Sequence, residues 1–150
     1  QPESSAASDV YKRQAFNELK LLGKVSGKLP RMVAAQSTGC APVVKAFQRR
    51  ENKTEFWENS QTFALGLNVP GPIGGYWILR ILYESNGIAV DVPESDLQNL
   101  TDEFNSITRI NAGPEAGVVW GAFQKLRNVG WIDNSQSVVL FATGIERCKL

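Results

Sequence analysis

The sequence contains no histidine and only two cysteines, Cys40 and Cys148, among its 150 residues. Without histidine, this chain cannot by itself build a Cys/His zinc site, a Ser-His-Asp triad or a Cys-His dyad. Two cysteines are too few for the disulfide framework that stabilises many small secreted domains. No pair of carboxylates is spaced for acid/base catalysis either, and we expect no metal site.

An excess of one charge and long apolar runs are also absent. The 16 basic and 15 acidic residues leave a formal net charge of +1, which gives no reason to expect binding to nucleic acid or to an anionic membrane. No apolar run is long enough to span a bilayer, and cytoplasm is the default compartment. The apolar fraction of 43% is ordinary for a globular protein, and 150 residues can form one buried core.

The first 14 residues differ from the rest of the chain. Gln1–Gln14 is polar, has no helical or strand period and lacks the apolar centre of a signal peptide. Within it, Asp9–Gln14 (DVYKRQ) is similar to the translation of a transposon end used to tag sequencing libraries. We therefore expect residues 1–14 to be a non-native, disordered leader and residues 15–150 to be the native part of the chain, which forms a partial domain. Whether Leu150 is the natural end stays open.

From residue 15 onward, predicted strands alternate with predicted helices. The strands are Arg31–Gln36, Ile88–Val92 and Val138–Gly144, and the helices are Val43–Arg50, Ile73–Asn86, Leu97–Ile107 and Glu115–Val129. Such alternation predicts βαβ units, a parallel sheet and the α/β class. The helix over Ile73–Asn86 is apolar nearly all round and should be buried, whereas Thr101 falls on the polar, surface side of its helix.

The run Val138–Gly144 (VVLFATG) carries the clearest site prediction. A short, continuous apolar run rich in β-branched residues is typical of a strand buried on both faces. Ligands bind outside the carboxyl ends of strands in open α/β sheets, so the Thr143 hydroxyl could meet a ligand there. The alternative is that Thr143 closes a strand and forms only a local hydrogen bond.

Other motifs are weak when read by chemistry alone. Gly71, Gly74 and Gly75 straddle a proline and open a helix, which favours packing over phosphate binding. Lys28 follows Ser26-Gly27 in the serine-x-lysine order of a Schiff-base lysine, but its place on a polar loop before a strand favours a plain surface lysine. Glu115 opens a helix after Gly113-Pro114, where a favourable interaction with the helix dipole explains a carboxylate without any function.

A set of motifs in fixed order resembles the threonine synthase family and extends from Ala15 to Gly144. The motifs are LPRMVAAQSTGCAPVVKAF (Leu29–Phe47), FWEN (Phe56–Asn59), Thr62–Val69, ILRILYESNGIAV (Ile78–Val90), GPEAG (Gly113–Gly117), GWID (Gly130–Asp133) and VVLFATG. The resemblance implies a pyridoxal-phosphate enzyme of the tryptophan-synthase-β-like superfamily (fold type II). It also implies a three-layer α/β/α fold with a mainly parallel sheet, of which this chain is roughly the C-terminal half.

The resemblance further implies the conversion of O-phospho-L-homoserine and water to L-threonine and phosphate by a lyase in threonine biosynthesis. Thr143 matches the hydroxyl partner of the cofactor's pyridine nitrogen, and Gly144 follows it. Glu115 matches a glutamate near the ring, and the backbone of Ala64–Gly66, with Ala64 and Gly66 themselves, matches a loop close to the cofactor. The Schiff-base lysine and the phosphate loop would lie upstream, so we expect no catalytic residue in this chain and no activity from it alone.

One departure leaves alternatives open. Family members commonly continue from Thr-Gly into Ser-Gly-Leu-Lys, whereas here Thr143-Gly144 is followed by Ile145–Cys148. Another enzyme of the same fold is therefore a second interpretation: threonine dehydratase, diaminopropionate ammonia-lyase or cysteate synthase. A third, from a different class, is a small self-contained α/β ligand-binding module. The resemblance is compatible with a homodimer of the full-length enzyme.

Overall fold

The structure is a computed structural model that describes residues 5–145, with side chains from Val10 onward. The helices are α1 (Ser5–Leu21), α2 (Pro42–Gln48), α3 (Gly75–Glu84), α4 (Leu97–Thr108) and α5 (Pro114–Asn128), and the strands are β1 (Val33–Ser37) and β2 (Ile88–Val92). Short 3₁₀ turns occupy Leu65–Leu67 and Glu94–Asp96. Across residues 5–145, no helix combines the length and hydrophobicity needed to cross a membrane.

β1 and β2 pair with each other in a parallel, two-stranded sheet. The pairing runs from the Ile88 N–H, which donates to the Met32 carbonyl at 3.1 Å, to the Thr38 N–H, which donates to the Val92 carbonyl at 2.9 Å. Since both strands advance in the same direction between these bonds, the predicted α/β class with a parallel sheet is confirmed.

The chain divides into two compact units, the first of which contains residues up to Ala34, Ala41–Glu58 and Val69–Val90. Its core forms where α2 and α3 pack their apolar faces together. The buried side chains of this core are Ala41, Val43, Val44, Ala46, Ile78, Leu79, Leu82 and Ala89. Pro42 begins α2 at a position where the missing N–H costs nothing.

The prediction that α3 is buried on all sides is wrong. The helix is shorter than expected and buries one face, while Ile73 before it is 99% exposed and Tyr76 and Trp77 are about half exposed. On the exposed face the Arg80 guanidinium lies 5.7 Å from the Trp77 ring centre. The sequence of this helix appears apolar on every face because Tyr76 and Trp77 count as apolar residues. An aromatic ring can nevertheless remain partly exposed to water when a cation stacks on it, as Arg80 does on Trp77.

α1 begins at Ser5, ten residues before the helical segment that the sequence predicts from Ala15. The expectation of a disordered leader is therefore wrong for Ser5–Gln14, where the backbone is helical. The polar composition hid this helix because its apolar residues form only a weak stripe. The foreign origin of residues 1–14 stays a prediction.

The second unit consists of Ala35–Cys40, Asn59–Asn68 and the chain from Asp91 onward. Here α4 and α5 pack closely because glycines of α5 face α4: a Cβ on Gly117 would lie 2.9 Å from the Leu97 carbonyl oxygen and would overlap the Thr101 hydroxyl. Thr101 is only 5% exposed and its hydroxyl donates to Leu97 O at 2.7 Å. Its predicted surface position is therefore wrong, because the hydroxyl is satisfied within the helix.

The predicted buried strand over Val138–Gly144 is also wrong. The segment has no regular secondary structure, and Val139 and Phe141 are 75% and 48% exposed. A central parallel strand needs a neighbouring strand on each side, and the sheet formed within residues 5–145 has only β1 and β2. Leu140 packs against the small cluster of Phe104, Ala112 and Ala116, and Ile145 forms an isolated antiparallel bridge with Ala112.

Candidate functional site

The carboxylate of Glu115 lies where three separate segments of the second unit meet. Glu115 is in the first turn of α5, where a negative charge interacts favourably with the helix dipole. Its Oε1 accepts a hydrogen bond from the Gly66 N–H at 2.8 Å. A carboxylate that accepts from a backbone N–H makes a stronger bond than a neutral acceptor, so Glu115 ties the 3₁₀ turn at Leu65–Leu67 to the start of α5.

Three glycines make this close approach possible. A Cβ built on Gly66 would lie 2.7 Å from Glu115 Oε1, and one built on Gly113 would lie 2.8 Å from Oε2. A Cβ on Gly144 would overlap Oε2. Backbone from three segments therefore surrounds one carboxylate, at positions where any side chain would require Glu115 to move.

Gly144 joins this cluster through a backbone contact, and Thr143 directly precedes it in the chain. The Gly113 N–H donates to the Gly144 carbonyl at 3.1 Å, next to the bridge between Ala112 and Ile145. Thr143 itself is exposed, and within residues 5–145 its hydroxyl forms no side-chain hydrogen bond.

The loop before Gly66 is compact and partly buried. Ala64 is fully buried, its N–H donates to the Thr62 hydroxyl at 3.2 Å, and its carbonyl accepts from Leu67 N–H at 2.9 Å. The five residues singled out from the sequence thus lie in one unit, with Glu115 in contact with Gly66 and Gly144. Ala64 lies two residues from the Glu115 contact and does not touch the carboxylate through any described hydrogen bond.

Asn105 is a positioning residue of this site that the sequence did not reveal. Its amide nitrogen donates to the Ala112 carbonyl and its amide oxygen accepts from the Ala112 N–H, both at 3.0 Å. This pair fixes the backbone immediately before Gly113 and Glu115. A single asparagine in an amphipathic helix leaves no periodic signal, so only the three-dimensional structure identifies it.

The chemistry of the cluster fits the ring of the cofactor that the sequence resemblance implies. A neutral hydroxyl suits a pyridine nitrogen, because it can donate a hydrogen bond to that acceptor. None of Thr143, Gly144, Glu115, Ala64 and Gly66 carries a positive charge or an amine, so the cluster itself supplies neither phosphate binding nor covalent attachment. No group of metal-ligating side chains occurs among the described residues. The departure from the family pattern at Glu146–Cys148 lies outside the described residues.

Curated relatives of this chain are threonine synthases. The chain is 27% identical over 135 residues to threonine synthase of Methanosarcina acetivorans, covering 90% of this chain and 33% of that protein. It is 25% identical over 131 residues to threonine synthase of Methanocaldococcus jannaschii, covering 87% and 32%. It is 29% identical over 132 residues to chloroplastic threonine synthase 2 of Arabidopsis thaliana, covering 87% and 25%. The chain therefore spans a third or less of the length of these relatives.

A solved structure supports the fold. Maize serine racemase matches with a TM-score of 0.52 and 15% sequence identity over 61% of this chain and 26% of that chain. At this identity the match bears on the fold alone.

The model of the family described as "Pyridoxal-phosphate dependent enzyme" matches residues 15–144. This range has the same bounds as the resemblance found in the sequence, and it includes every residue of the Glu115 cluster. The similarity to threonine synthase is confirmed, and pyridoxal phosphate is the cofactor of the family. The chain belongs to the family of pyridoxal-phosphate-dependent enzymes.

Proposed function

We propose that this chain is a C-terminal part, about a third or less, of a threonine synthase, a cytoplasmic lyase that converts O-phospho-L-homoserine and water to L-threonine and phosphate. The observation that carries the proposal is the meeting of Gly66, Gly113 and Gly144 around the Glu115 carboxylate. The names of the three relatives favour threonine synthase over other enzymes of the fold. The full-length protein is expected to supply the Schiff-base lysine and the phosphate loop.

In this proposal each residue of the cluster has a defined task. The Thr143 hydroxyl donates a hydrogen bond to the pyridine nitrogen, and Gly144 allows the chain to turn beside the Glu115 carboxylate without a clash. The backbone of Ala64 and Gly66 lies beside the ring, and Glu115 fixes the position of Gly66 by accepting its N–H. When bound, pyridoxal phosphate supplies an electron sink for carbanion chemistry. A neutral hydroxyl does not stabilise a protonated ring nitrogen, so neighbouring groups must share the stabilisation of negative charge.

The proposed reaction is tested by supplying the full-length protein with substrates of different enzymes of the fold. We expect release of inorganic phosphate and formation of threonine in equal amounts from O-phosphohomoserine. Ammonia from threonine or from diaminopropionate, without phosphate release from O-phosphohomoserine, would replace threonine synthase by the corresponding ammonia-lyase. Binding of a ligand without any turnover would favour the binding-module interpretation.

The role of Thr143 is tested by two substitutions in the full-length protein. Thr143→Val keeps the shape but removes the hydroxyl, which leaves a ring nitrogen unpaired at a cost of roughly 1–3 kcal/mol. We expect cofactor binding to weaken by about tenfold to a hundredfold and the visible absorbance of the bound cofactor to shift. Thr143→Ser keeps the hydroxyl and should restore both properties.

The matched control is Thr108→Val. Thr108 is exposed, and its hydroxyl serves only local bonds, to Phe104 O at 2.8 Å and from Ile110 N–H at 3.3 Å. Its loss should leave the cofactor spectrum and affinity unchanged. If Thr143→Val behaved like this control, the Thr143 hydroxyl would have no part in holding the cofactor.

A further inference from the structure

A second carboxylate, that of Glu94, holds the other end of the loop that reaches Glu115. Its Oε2 accepts the Phe63 N–H at 2.9 Å, and its Oε1 accepts the Ser37 hydroxyl. The Glu94 N–H in turn donates to the Thr38 hydroxyl at 3.1 Å. Glu94 therefore joins the segment after β1, the segment after β2 and the loop that begins at residue 61.

The residues around the Glu94 carboxylate are tightly packed. Ser37 is fully buried and its hydroxyl also accepts the Gly39 N–H at 3.1 Å. The Gly39 carbonyl accepts the Gln61 N–H at 3.1 Å, and a Cβ on Gly39 would overlap the Gln61 carbonyl and lie 3.0 Å from Glu94 Oε1. The carboxylate thus occupies a place from which it cannot shift without disturbing the segments beside it.

Two carboxylates hold the backbone of this loop, in addition to the buried side chains of Ala64 and Thr62. Phe63 and Leu65 are 53% and 68% exposed, and Gly66 has no side chain. Glu94 fixes the backbone at Phe63 and Glu115 fixes it at Gly66, with bonds of 2.9 Å and 2.8 Å. Only the two peptide units between these two points, 63–64 and 64–65, remain to be set by local geometry.

We propose that Glu94, supported by Ser37, is a positioning residue that fixes the backbone of residues 63–66 beside the cofactor. This inference rests on the proposed placement of that loop next to the ring. Glu94 does not touch the cofactor in this arrangement, since both of its oxygens already accept hydrogen bonds within the chain. It acts through the Phe63 N–H, and Ser37 acts by orienting the Glu94 carboxylate.

The test measures loop order and cofactor binding separately, in the full-length protein. Glu94→Ala removes both bonds, Ser37→Ala removes the orienting bond, and Glu94→Gln keeps an oxygen for Phe63 N–H and an N–H for Ser37. Amide hydrogen exchange at Phe63 and Gly66 in cofactor-free protein reports loop opening. The dissociation constant and visible spectrum of added pyridoxal phosphate report the effect on the cofactor. Glu103→Ala is the matched control, because Glu103 accepts one hydrogen bond from Gln124 at 2.9 Å in the same unit.

We expect Glu94→Ala to raise exchange at both amides and to weaken cofactor binding, each by roughly tenfold, as loss of a charge-assisted hydrogen bond implies. Ser37→Ala should have a smaller effect in the same direction, and Glu94→Gln should restore most of both properties. Glu103→Ala should change neither. If Glu94→Ala does not fold, amide exchange and cofactor binding are instead compared between Ser37→Ala, Glu94→Gln and the wild type.

Two results would overturn the inference. Unchanged exchange at Phe63 and Gly66 in Ser37→Ala and Glu94→Ala would mean that Glu94 does not order the loop. Faster exchange with unchanged cofactor affinity and spectrum would mean that the ordered loop does not serve the cofactor. Neither result depends on which substrate the wild-type enzyme converts, so failure of the threonine synthase assignment is recognised independently by the product assay.

Discussion

Replacing Gly66 by alanine should destabilise the protein through a single new atom. The added Cβ would lie 2.7 Å from Glu115 Oε1 and 3.3 Å from both Cδ and Cγ of that residue. Because real Cβ atoms essentially never come within 3.0 Å of a neighbour, the carboxylate would have to retreat by a few tenths of an ångström. Its 2.8 Å bond from the Gly66 N–H would lengthen accordingly.

The size of the effect follows from two opposing contributions. Complete loss of a hydrogen bond to a charged group costs about 1.5–3 kcal/mol, and this is the upper limit for a bond that is lengthened by the retreat of a flexible carboxylate. Gly66 lies in a 3₁₀ turn without a left-handed backbone, so alanine should return about 0.4–1 kcal/mol by restricting the unfolded chain. We therefore expect a net loss of up to about 2 kcal/mol, and each kcal/mol lowers the melting temperature of a domain of 150–250 residues by about 2–4 °C.

A double-mutant cycle isolates the cause. In a Glu115→Ala background the overlap and the hydrogen bond are both gone, so Gly66→Ala should now stabilise the protein by about 0.4–1 kcal/mol. Thermal unfolding of the four cofactor-free, full-length proteins, followed by circular dichroism or calorimetry, measures this change of sign. An equal loss of stability from Gly66→Ala in both backgrounds would refute the argument that the carboxylate is what requires glycine.

Gly121→Ala should overpack the junction of α4, α5 and β2, because its Cβ would lie 2.7 Å from Leu100 Cδ1 and 2.8 Å from Val92 Cγ1; we expect a loss of about 1–3 kcal/mol in urea unfolding, and no loss would mean that the helices separate freely. Partial burial, together with the Glu51 carboxylate, raises the pKa of Tyr83 above its ordinary value of 10.0. A raised folded-state pKa contributes stability below pH 10 that is lost as pH rises through the folded pKa. Above pH 10 the free energy of unfolding, measured in urea, should therefore fall less in Tyr83→Phe than in the wild type. Identical dependence of this free energy on pH in the two proteins would contradict the prediction. The 150-residue chain by itself should be inactive and give no cofactor absorbance, because the Glu115 cluster offers no amine for covalent attachment; borohydride trapping of the cofactor on a lysine of this chain would disprove that.

Elements with a clear hydrophobic period and defined ends were predictable from the sequence. β2 has the predicted bounds, Ile88–Val92, because its apolar run lies between Gly87 and Pro93. α5 was predicted from its apolar face and from Gly130, which adopts a left-handed backbone after the helix. Local signals suffice where one residue pattern determines one element.

Pairings across long sequence distances were not predictable from residue chemistry. Gly66 and Glu115 are separated by 49 positions, and no residue pattern near either one predicts that they are in contact. Only the resemblance to a known family assigned both residues to the same cofactor site. Glu94 went unnoticed because an isolated glutamate in a loop has no period. The strand predicted at Val138–Gly144 failed for a related reason, since a strand depends on the neighbours that pair with it and not only on its own residues.

The Asn105 amide pair with Ala112 fixes the length of the turn between α4 and α5. Residues 109–111 are exposed, and exposed loops usually accept insertions and deletions. Here one residue more or less, without a compensating bulge in the turn, would move Ala112 away from both amide atoms. The start of α5 would shift with Ala112, and the Glu115 carboxylate would move relative to Gly66. We therefore expect this turn to keep a constant length in functional relatives, even where its surface residues vary freely.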